Sequence, residues 1–323
     1  MKIVILDGGA VNKGDLNWDE FAALGELTVY DYTPAELTLE RASDAEIVIT
    51  NKCVLRAETI AALPKLKYIG LLSTGANVVD CEFAASRGIP VCNVPNYCTA
   101  EVAQHAFALL LELTNACGLH SDCVKRGEWQ SSKDFCFWRT DLMSLCGKTL
   151  GIIGFGATGR AVCAIARAMG MNVVINARRE MKDIPDGVKQ VTLDELFAVS
   201  DAISLHCPLT PQTKGLINAE NISKMKDGVI IINTARGPIV DEPALAAALN
   251  SGKVSGAGID VLETEPPVNG SPLIGAKNCI ITPHIAWASK EARARLAAIA
   301  CDNLRKFLSG SVQNAVNIKL NIK

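Results

Sequence analysis

The sequence predicts an α/β protein made of two parallel-sheet domains. Three observations carry that prediction: short apolar runs alternate with amphipathic stretches along nearly the whole chain, a G-x-G-x-x-G run stands mid-chain at residues 154–159, and 323 residues is about twice the length of one domain. Strands that alternate with helices join through right-handed crossovers, which makes the strands parallel.

In the first hundred residues, segments 2–6, 27–31, 46–50, 68–72 and 90–94 read as strands, and 19–24, 34–42 and 58–63 have helical periodicity. Residues 100–129 read as one long helical segment, apolar at Val102, Phe107, Leu110 and Leu111 and polar from His120 to Arg126. A second alternating series follows, with strands expected at 149–153, 172–175, 202–206, 229–233, 256–261 and 279–282, a sheet of about six. Residues 289–308 then read as an amphipathic helix long enough to cross back to the first domain. The expected partition is a discontinuous substrate domain of residues 1–99 and 289–323, with a dinucleotide-binding domain of residues 100–288 inserted. Both halves are expected to be Rossmann-like or flavodoxin-like parallel-sheet domains.

Composition removes several classes of function. The formal net charge is −2 with acids and bases interspersed, so no polyanion is attracted and no nucleic-acid partner is expected. The opening residues reach Asp7 too soon for a signal peptide, and no apolar run is longer than that at 106–111, far short of the roughly 20 residues that span a bilayer. A cytoplasmic protein without membrane contact is expected. The 12 cysteines are scattered without a C-x-x-C pair, which suits core filler in a reducing compartment better than disulfides. With only four histidines, no metal site is expected.

The glycine run has the context that gives it meaning, because an apolar strand precedes it and a helix follows. Gly154, Gly156 and Gly159 permit the tight turn, the approach of backbone N–H groups to a pyrophosphate and close helix–strand packing, with Ala157 and Thr158 opening the helix. At the end of the next strand an acid normally reads the adenosine 2′-hydroxyl. This chain has Ala177 there, followed by Arg178 and Arg179, which leaves room and donors for a 2′-phosphate. NADP is therefore favoured over NAD; the alternative is that the arginines are solvated loop charges.

Three further segments sit at predicted strand ends: residues 233–237, 260–266 and 282–287. They offer Arg236, Glu265 and His284, which suit reduction of a keto acid: a cation for the carboxylate, a proton donor for the carbonyl oxygen, and a carboxylate to orient the imidazole. His105, His120 and His206 read as a helix-face contact, a solvated position and a strand-end residue near the adenine pocket.

These motifs, with His206-Cys207-Pro208-Leu209-Thr210 and Thr213, and with spacings of 29 residues from Arg236 to Glu265 and 19 from Glu265 to His284, resemble the D-isomer-specific 2-hydroxyacid dehydrogenases over essentially the whole chain. The resemblance implies that Arg236 binds the substrate carboxylate and carbonyl, that His284 is the general acid–base, and that Glu265 pairs with it and raises its pKa. It also implies that Asp260 bonds the nicotinamide carboxamide, that Thr74 and Gly75 receive the substrate carboxylate, and that His206, Cys207, Pro208, Thr213, Thr234, Ala235 and Ala286 line the cofactor site. Thr50-Asn51-Lys52 and the run 284–289 look most like the glycerate dehydrogenase and hydroxypyruvate reductase branch, where Lys52 would add charge for a small hydroxylated acid. Thr158 departs from the aliphatic residue common in the family. The long helix resembles the family's dimerisation element, so a homodimer is expected. The implied activity is hydride transfer between NAD(P)H and a small 2-keto or D-2-hydroxy acid, with hydroxypyruvate or glyoxylate reduced, and the implied place for it is the interdomain cleft. The alternative is a dinucleotide-sensing corepressor of the same fold. An L-specific dehydrogenase would carry its fingerprint near the N-terminus, and here it starts at residue 154.

Overall fold

A computed structural model describes residues 1–318. The chain divides into two compact units, one formed by Met1–Cys98 with the chain from Ala288 onward and the other by Thr99–Trp287.

In the first unit, β1 (Lys2–Ile5), β2 (Glu26–Val29), β3 (Ile47–Thr50), β4 (Tyr68–Leu71) and β5 (Val91–Cys92) form an all-parallel sheet in the order β2-β1-β3-β4-β5. Its central strands are continuous β-branched and apolar runs: β3 reads Ile-Val-Ile-Thr and is buried throughout, as a parallel strand covered on both faces should be. Short helices α1 (Asp19–Ala22), α2 (Thr38–Ala42), α3 (Ala57–Ala61) and α4 (Cys81–Ser86) make the crossovers. The C-terminal helix, Lys290–Leu308, is capped by the Ser289 hydroxyl and buries Leu296, Ala300 and Leu304. Phe307 at its end lies 4.9 Å from the Tyr68 ring of β4. Near its start, Arg293 forms a two-pronged pair with Asp15 at 2.8 and 2.7 Å and donates to the Val11 carbonyl, tying the end of the chain to its beginning.

The second unit starts with α5 (Thr99–Asn115) and α6 (Cys117–Lys125). The sequence suggested one helix here, and the difference lies at Ala116, whose left-handed φ of 46° interrupts it. The break is held from both sides: the Glu112 carboxylate accepts from the Gly118 N–H, and the Ala116 carbonyl receives His120 Nδ1 at 2.8 Å. The other His120 nitrogen receives the Arg139 N–H, so this residue is structural rather than simply solvated.

Then follow β6 (Thr149–Ile153), α7 (Ala157–Ala168), β7 (Asn172–Asn176), β8 (Lys189–Gln190), α8 (Leu193–Val199), β9 (Ala202–Leu205), α9 (Ala219–Ser223), β10 (Val229–Asn233), α10 (Glu242–Ser251), β11 (Val254–Ile259) and β12 (Cys279–Ile281). The seven strands are parallel, in the order β12-β11-β10-β9-β6-β7-β8. The extra strand over the expected six is β8, two polar residues too short to show a pattern. Chain direction across the sheet reverses between β6 and β9, the switch point at which open α/β sheets bind ligands beyond their strand ends. α5 is a core helix of this unit: Ala103, Ala106, Phe107, Leu109 and Leu110 are buried with Ile152, Ile230 and Ile232. Glycines 256 and 258 of β11 let Leu113 and Leu109 close onto the strand. Among the described residues no helix is long and apolar enough to cross a membrane.

Candidate active site and dinucleotide cradle

The turn after β6 is built by three glycines with different physical reasons. Gly154 has φ of +95°, and a side chain there would strike the His206–Cys207 peptide at the end of β9. A side chain at Gly159 would strike the Gly154 carbonyl, so this glycine lets α7 lie against the turn. At Gly156 nothing lies within 4 Å of where a side chain would start, and no side chain caps the N-terminus of α7, leaving open space in front of N–H groups that carry partial positive charge.

The rest of the cradle agrees with a dinucleotide. Thr234, after β10, has a buried hydroxyl without a hydrogen-bond partner, which a bound polar group would satisfy. After β7, Gln190 donates to the carbonyls of Ala177 and Arg179 and accepts from the Met181 N–H, shaping the loop. The guanidinium groups of Arg178 and Arg179 have no ion-pair or hydrogen-bond partner among the described residues. The Thr213 hydroxyl donates to the Pro208 carbonyl and accepts from the Thr210 N–H, closing the loop after β9. His206 pairs with Ser204 at 2.8 Å, and burial pushes its imidazole down to about 4, so it is neutral at pH 7. Burial pushes the neighbouring Cys207 thiol up.

The ends of β10, β11 and β12 carry the chemistry along the same sheet edge. Asn233 is fully buried; its side chain accepts from the Ala235 N–H and donates to the Arg236 carbonyl, fixing the loop that presents Arg236. Arg236 Nη1 bonds the Ala235 carbonyl at 2.6 Å. Gly237 presses on the Leu262–Glu263 peptide, a contact any side chain would destroy, so this loop and the β11 loop are packed together.

Glu265 and His284 meet directly, Oε2 to Nδ1 at 2.5 Å, while Glu265 Oε1 accepts from the Leu262 N–H at 3.0 Å. Because a carboxylate only accepts, Nδ1 holds the proton and Nε2 is the outward nitrogen. The Glu265 loop is braced by Glu242, a buried carboxylate that accepts from the Glu263 N–H at 2.7 Å and the Ser271 hydroxyl at 2.6 Å.

The His284 turn is braced by Asp260, which is 1 % exposed. Asp260 accepts from the Ile285 N–H at 2.8 Å, the Ala286 N–H at 2.9 Å and the Thr282 hydroxyl at 2.6 Å, with His105 Nε2 at 3.4 Å. Burial opposes its charge, yet hydrogen bonds from His105, Thr282, Ala286 and Ile285 outweigh that and hold its carboxyl below the usual range. His284 itself has a left-handed φ of 54°, a conformation costing of order 1–3 kcal/mol outside glycine. Its N–H bonds to the Asp260 and Thr282 carbonyls, and its own carbonyl accepts from the Trp287 indole.

Of the residues singled out from sequence, the structure joins Glu265 and His284 and sets Arg236 one loop away. Lys52, Thr74 and Gly75 belong to the first unit. There Asp7 gathers the N–H groups of Asn51, Lys52 and Cys53 at 2.7, 2.5 and 3.1 Å, leaving the Lys52 side chain exposed. Thr74 donates to the Val94 carbonyl, and Ser73 to that of Gly75. Glu242, Thr282 and the involvement of His105 escape sequence reasoning, because the partners that give them meaning are 21 to 177 residues away along the chain.

Residues 107–286 match the D-isomer specific 2-hydroxyacid dehydrogenase family, NAD binding domain. A hydroxypyruvate reductase of Blautia hydrogenotrophica is 51 % identical over 321 residues, covering 98 % of this chain and all of that protein. A glycerate dehydrogenase of Methylorubrum extorquens is 42 % identical and covers 98 % of each chain. A D-lactate dehydrogenase of Aquifex aeolicus, crystallised with NAD and lactic acid, superposes with a TM-score of 0.84 at 30 % identity, covering 99 % of this chain and all of the other. The chain belongs to the D-isomer specific 2-hydroxyacid dehydrogenase family. It is an oxidoreductase that uses a nicotinamide cofactor and acts on the CH–OH group of its donors. The relatives thus support the enzyme over the corepressor.

The depressed His206 pKa has a consequence for stability. The unfolded imidazole takes up its proton near 6.5 and the folded one only near about 4, so stability contributed by the neutral form is whole above 6.5 and is lost as pH falls toward 4. His206→Gln is expected to flatten the fall in melting temperature across that window, measured by thermal unfolding at stepped pH. Identical pH profiles for the variant and the parent would contradict the depressed value.

Proposed function

We propose that this enzyme reduces a small 2-keto acid, hydroxypyruvate or glyoxylate, to D-glycerate or glycolate, with NADPH preferred to NADH. The observation that carries the reading is the Glu265–His284 pair, 2.5 Å apart, on the sheet edge that also holds the glycine turn. When bound, the dinucleotide supplies the hydride. Gly154, Gly156, Ala157, Thr158 and Gly159 hold its pyrophosphate, with Thr234, Ala235, His206, Cys207, Pro208, Thr213 and Ala286 around the rest. Asp260 keeps acceptor capacity on Oδ2, which takes only the Ala286 N–H, for the nicotinamide carboxamide. The Arg236 guanidinium binds the substrate carboxylate and carbonyl oxygen. In its doubly protonated form His284 gives the Nε2 proton to the developing alkoxide and is left neutral with its remaining proton on Nδ1, which Glu265 accepts so that the ring keeps its orientation. On the family resemblance, Thr74 and Gly75 are assigned to the substrate carboxylate and Lys52 to added charge for a small hydroxylated acid. The names of the hydroxypyruvate reductase and glycerate dehydrogenase relatives support the choice of substrate.

Initial rates of NADPH and NADH oxidation with hydroxypyruvate, glyoxylate, pyruvate and a bulkier 2-keto acid test this directly. Fast turnover on the first two is expected, and tight dinucleotide binding with no turnover on any would overturn it. In the same assay His284→Ala loses about 10²–10⁴-fold in kcat while still binding the dinucleotide; unchanged turnover would remove His284 from its role.

The coenzyme preference follows from Ala177, Arg178 and Arg179. Ala177→Asp adds a charge that repels a 2′-phosphate and accepts from a 2′-hydroxyl, so the ratio of kcat/KM for NADPH to NADH is expected to drop by at least about tenfold, equivalent to 1.4 kcal/mol. A constant ratio would show that the two arginines do not read the phosphate.

The homodimer is part of the same proposal. Trp129, Phe135, Trp138 and Leu142 in the loop after α6 are more than half exposed, as are few apolar side chains elsewhere among the described residues. Sedimentation velocity is expected to return twice the 34.4 kDa chain mass, and Phe135→Asp with Trp138→Asp to shift it toward the monomer; a monomeric parent would overturn the assignment.

A further inference from the structure

A polar side chain of α5, that of His105, reaches the catalytic loops. His105 Nε2 stands 2.9 Å from Thr282 Oγ1 and 3.4 Å from Asp260 Oδ1, and the residues around it on the helix, Ala103, Ala106 and Phe107, are buried in the core. The direction of each hydrogen bond follows from counting protons. The single hydroxyl proton of Thr282 goes to Asp260 at 2.6 Å, so the Thr282 oxygen can only accept from His105, which places a proton on His105 Nε2. The donation then continues from Thr282 to Asp260, and Asp260 in turn holds the Ile285 and Ala286 N–H groups. His284 lies inside this bracket, its N–H bonded to the carbonyls of Thr282 and Asp260 and its backbone in the left-handed region.

We infer that His105 is a positioning residue for the proton donor: a helix locked in the core fixes Thr282 and Asp260, and through them the turn that aims His284. Without the His105 donor the Thr282 oxygen is left unpaired and its hydroxyl is free to rotate away from Asp260, so the turn loses the constraint that maintains its strained backbone. No contact with substrate is involved. The inference rests on the reading of His284 as the acid–base group.

The test compares three substitutions of His105 and one of Thr282 by steady-state kinetics on hydroxypyruvate, with His284→Ala in the same series. His105→Leu is expected to lower kcat by about tenfold to 10²-fold, with KM and the dinucleotide Kd nearly unchanged. His105→Gln, whose amide nitrogen reaches the place of Nε2, restores most of the rate, whereas His105→Asn, whose amide corresponds to Nδ1, does not. Thr282→Val lowers kcat similarly, and the double variant His105→Leu with Thr282→Val is no worse than the poorer single one, because both cut one chain. An unchanged kcat in His105→Leu beside an inactive His284→Ala overturns the inference alone. Equal losses in all three His105 variants, tracking their melting temperatures, also overturn it and leave a purely structural histidine. An active His284→Ala overturns the underlying reading instead.

Discussion

A carboxylate buried to 1 % exposure is costly unless donors surround it, and the arrangement of the catalytic edge follows from meeting that demand at Asp260. Two backbone N–H groups and the Thr282 hydroxyl converge on its oxygens, which wraps the chain after β12 around the end of β11. His284 falls within the wrapped segment and adopts a backbone conformation that no local preference would select. The same device recurs. Glu242 draws in the Glu263 N–H and the Ser271 hydroxyl beside Glu265, and Asp7 draws in three successive N–H groups around Lys52 in the first unit. These loops are in this way made as definite as strands.

The glycine turn achieves definition by a different route, through closeness. Two of its three glycines are required by protein–protein packing, Gly154 against β9 and Gly159 against the turn itself, and only Gly156 opens onto free space. The fingerprint is therefore mainly a statement about how a strand, a turn and a helix fit together. Ligand recognition is a consequence of the single position left open and of the helix N–H groups behind it.

How much of this could be read from the sequence depended on the range of the interactions. The central strands were legible because buried parallel strands are written as unbroken Ile and Val runs, β10 being Val-Ile-Ile-Ile-Asn. Arg236 and His284 were legible because each follows such a run by a few residues, and Glu265 because its spacing to both resembles that of the family. β8 was not, having two residues and no periodicity. The single helix expected over 100–129 became two because side-chain bonds from Glu112 and His120 stabilise a left-handed alanine, which helix propensity alone does not foresee. His120 reads as a solvated group, yet its ring is committed to the Ala116 carbonyl and the Arg139 N–H. The bracket around His284 was the least legible, since it joins positions 105, 260 and 282 that only the completed sheet brings together.

The ion pair between Arg293 and Asp15, with the C-terminal helix packed at Tyr68, also bears on how the protein is made. Translation delivers every strand of the five-stranded sheet within the first 98 residues, but the helix that covers part of it emerges only after residue 288. The seven-stranded unit is contiguous and has all of its own elements before that point. On the ribosome, then, the nascent N-terminal sheet waits with an uncovered apolar face while the later-made unit completes itself first, and during that interval the unfinished half is the part exposed to chaperones and to aggregation.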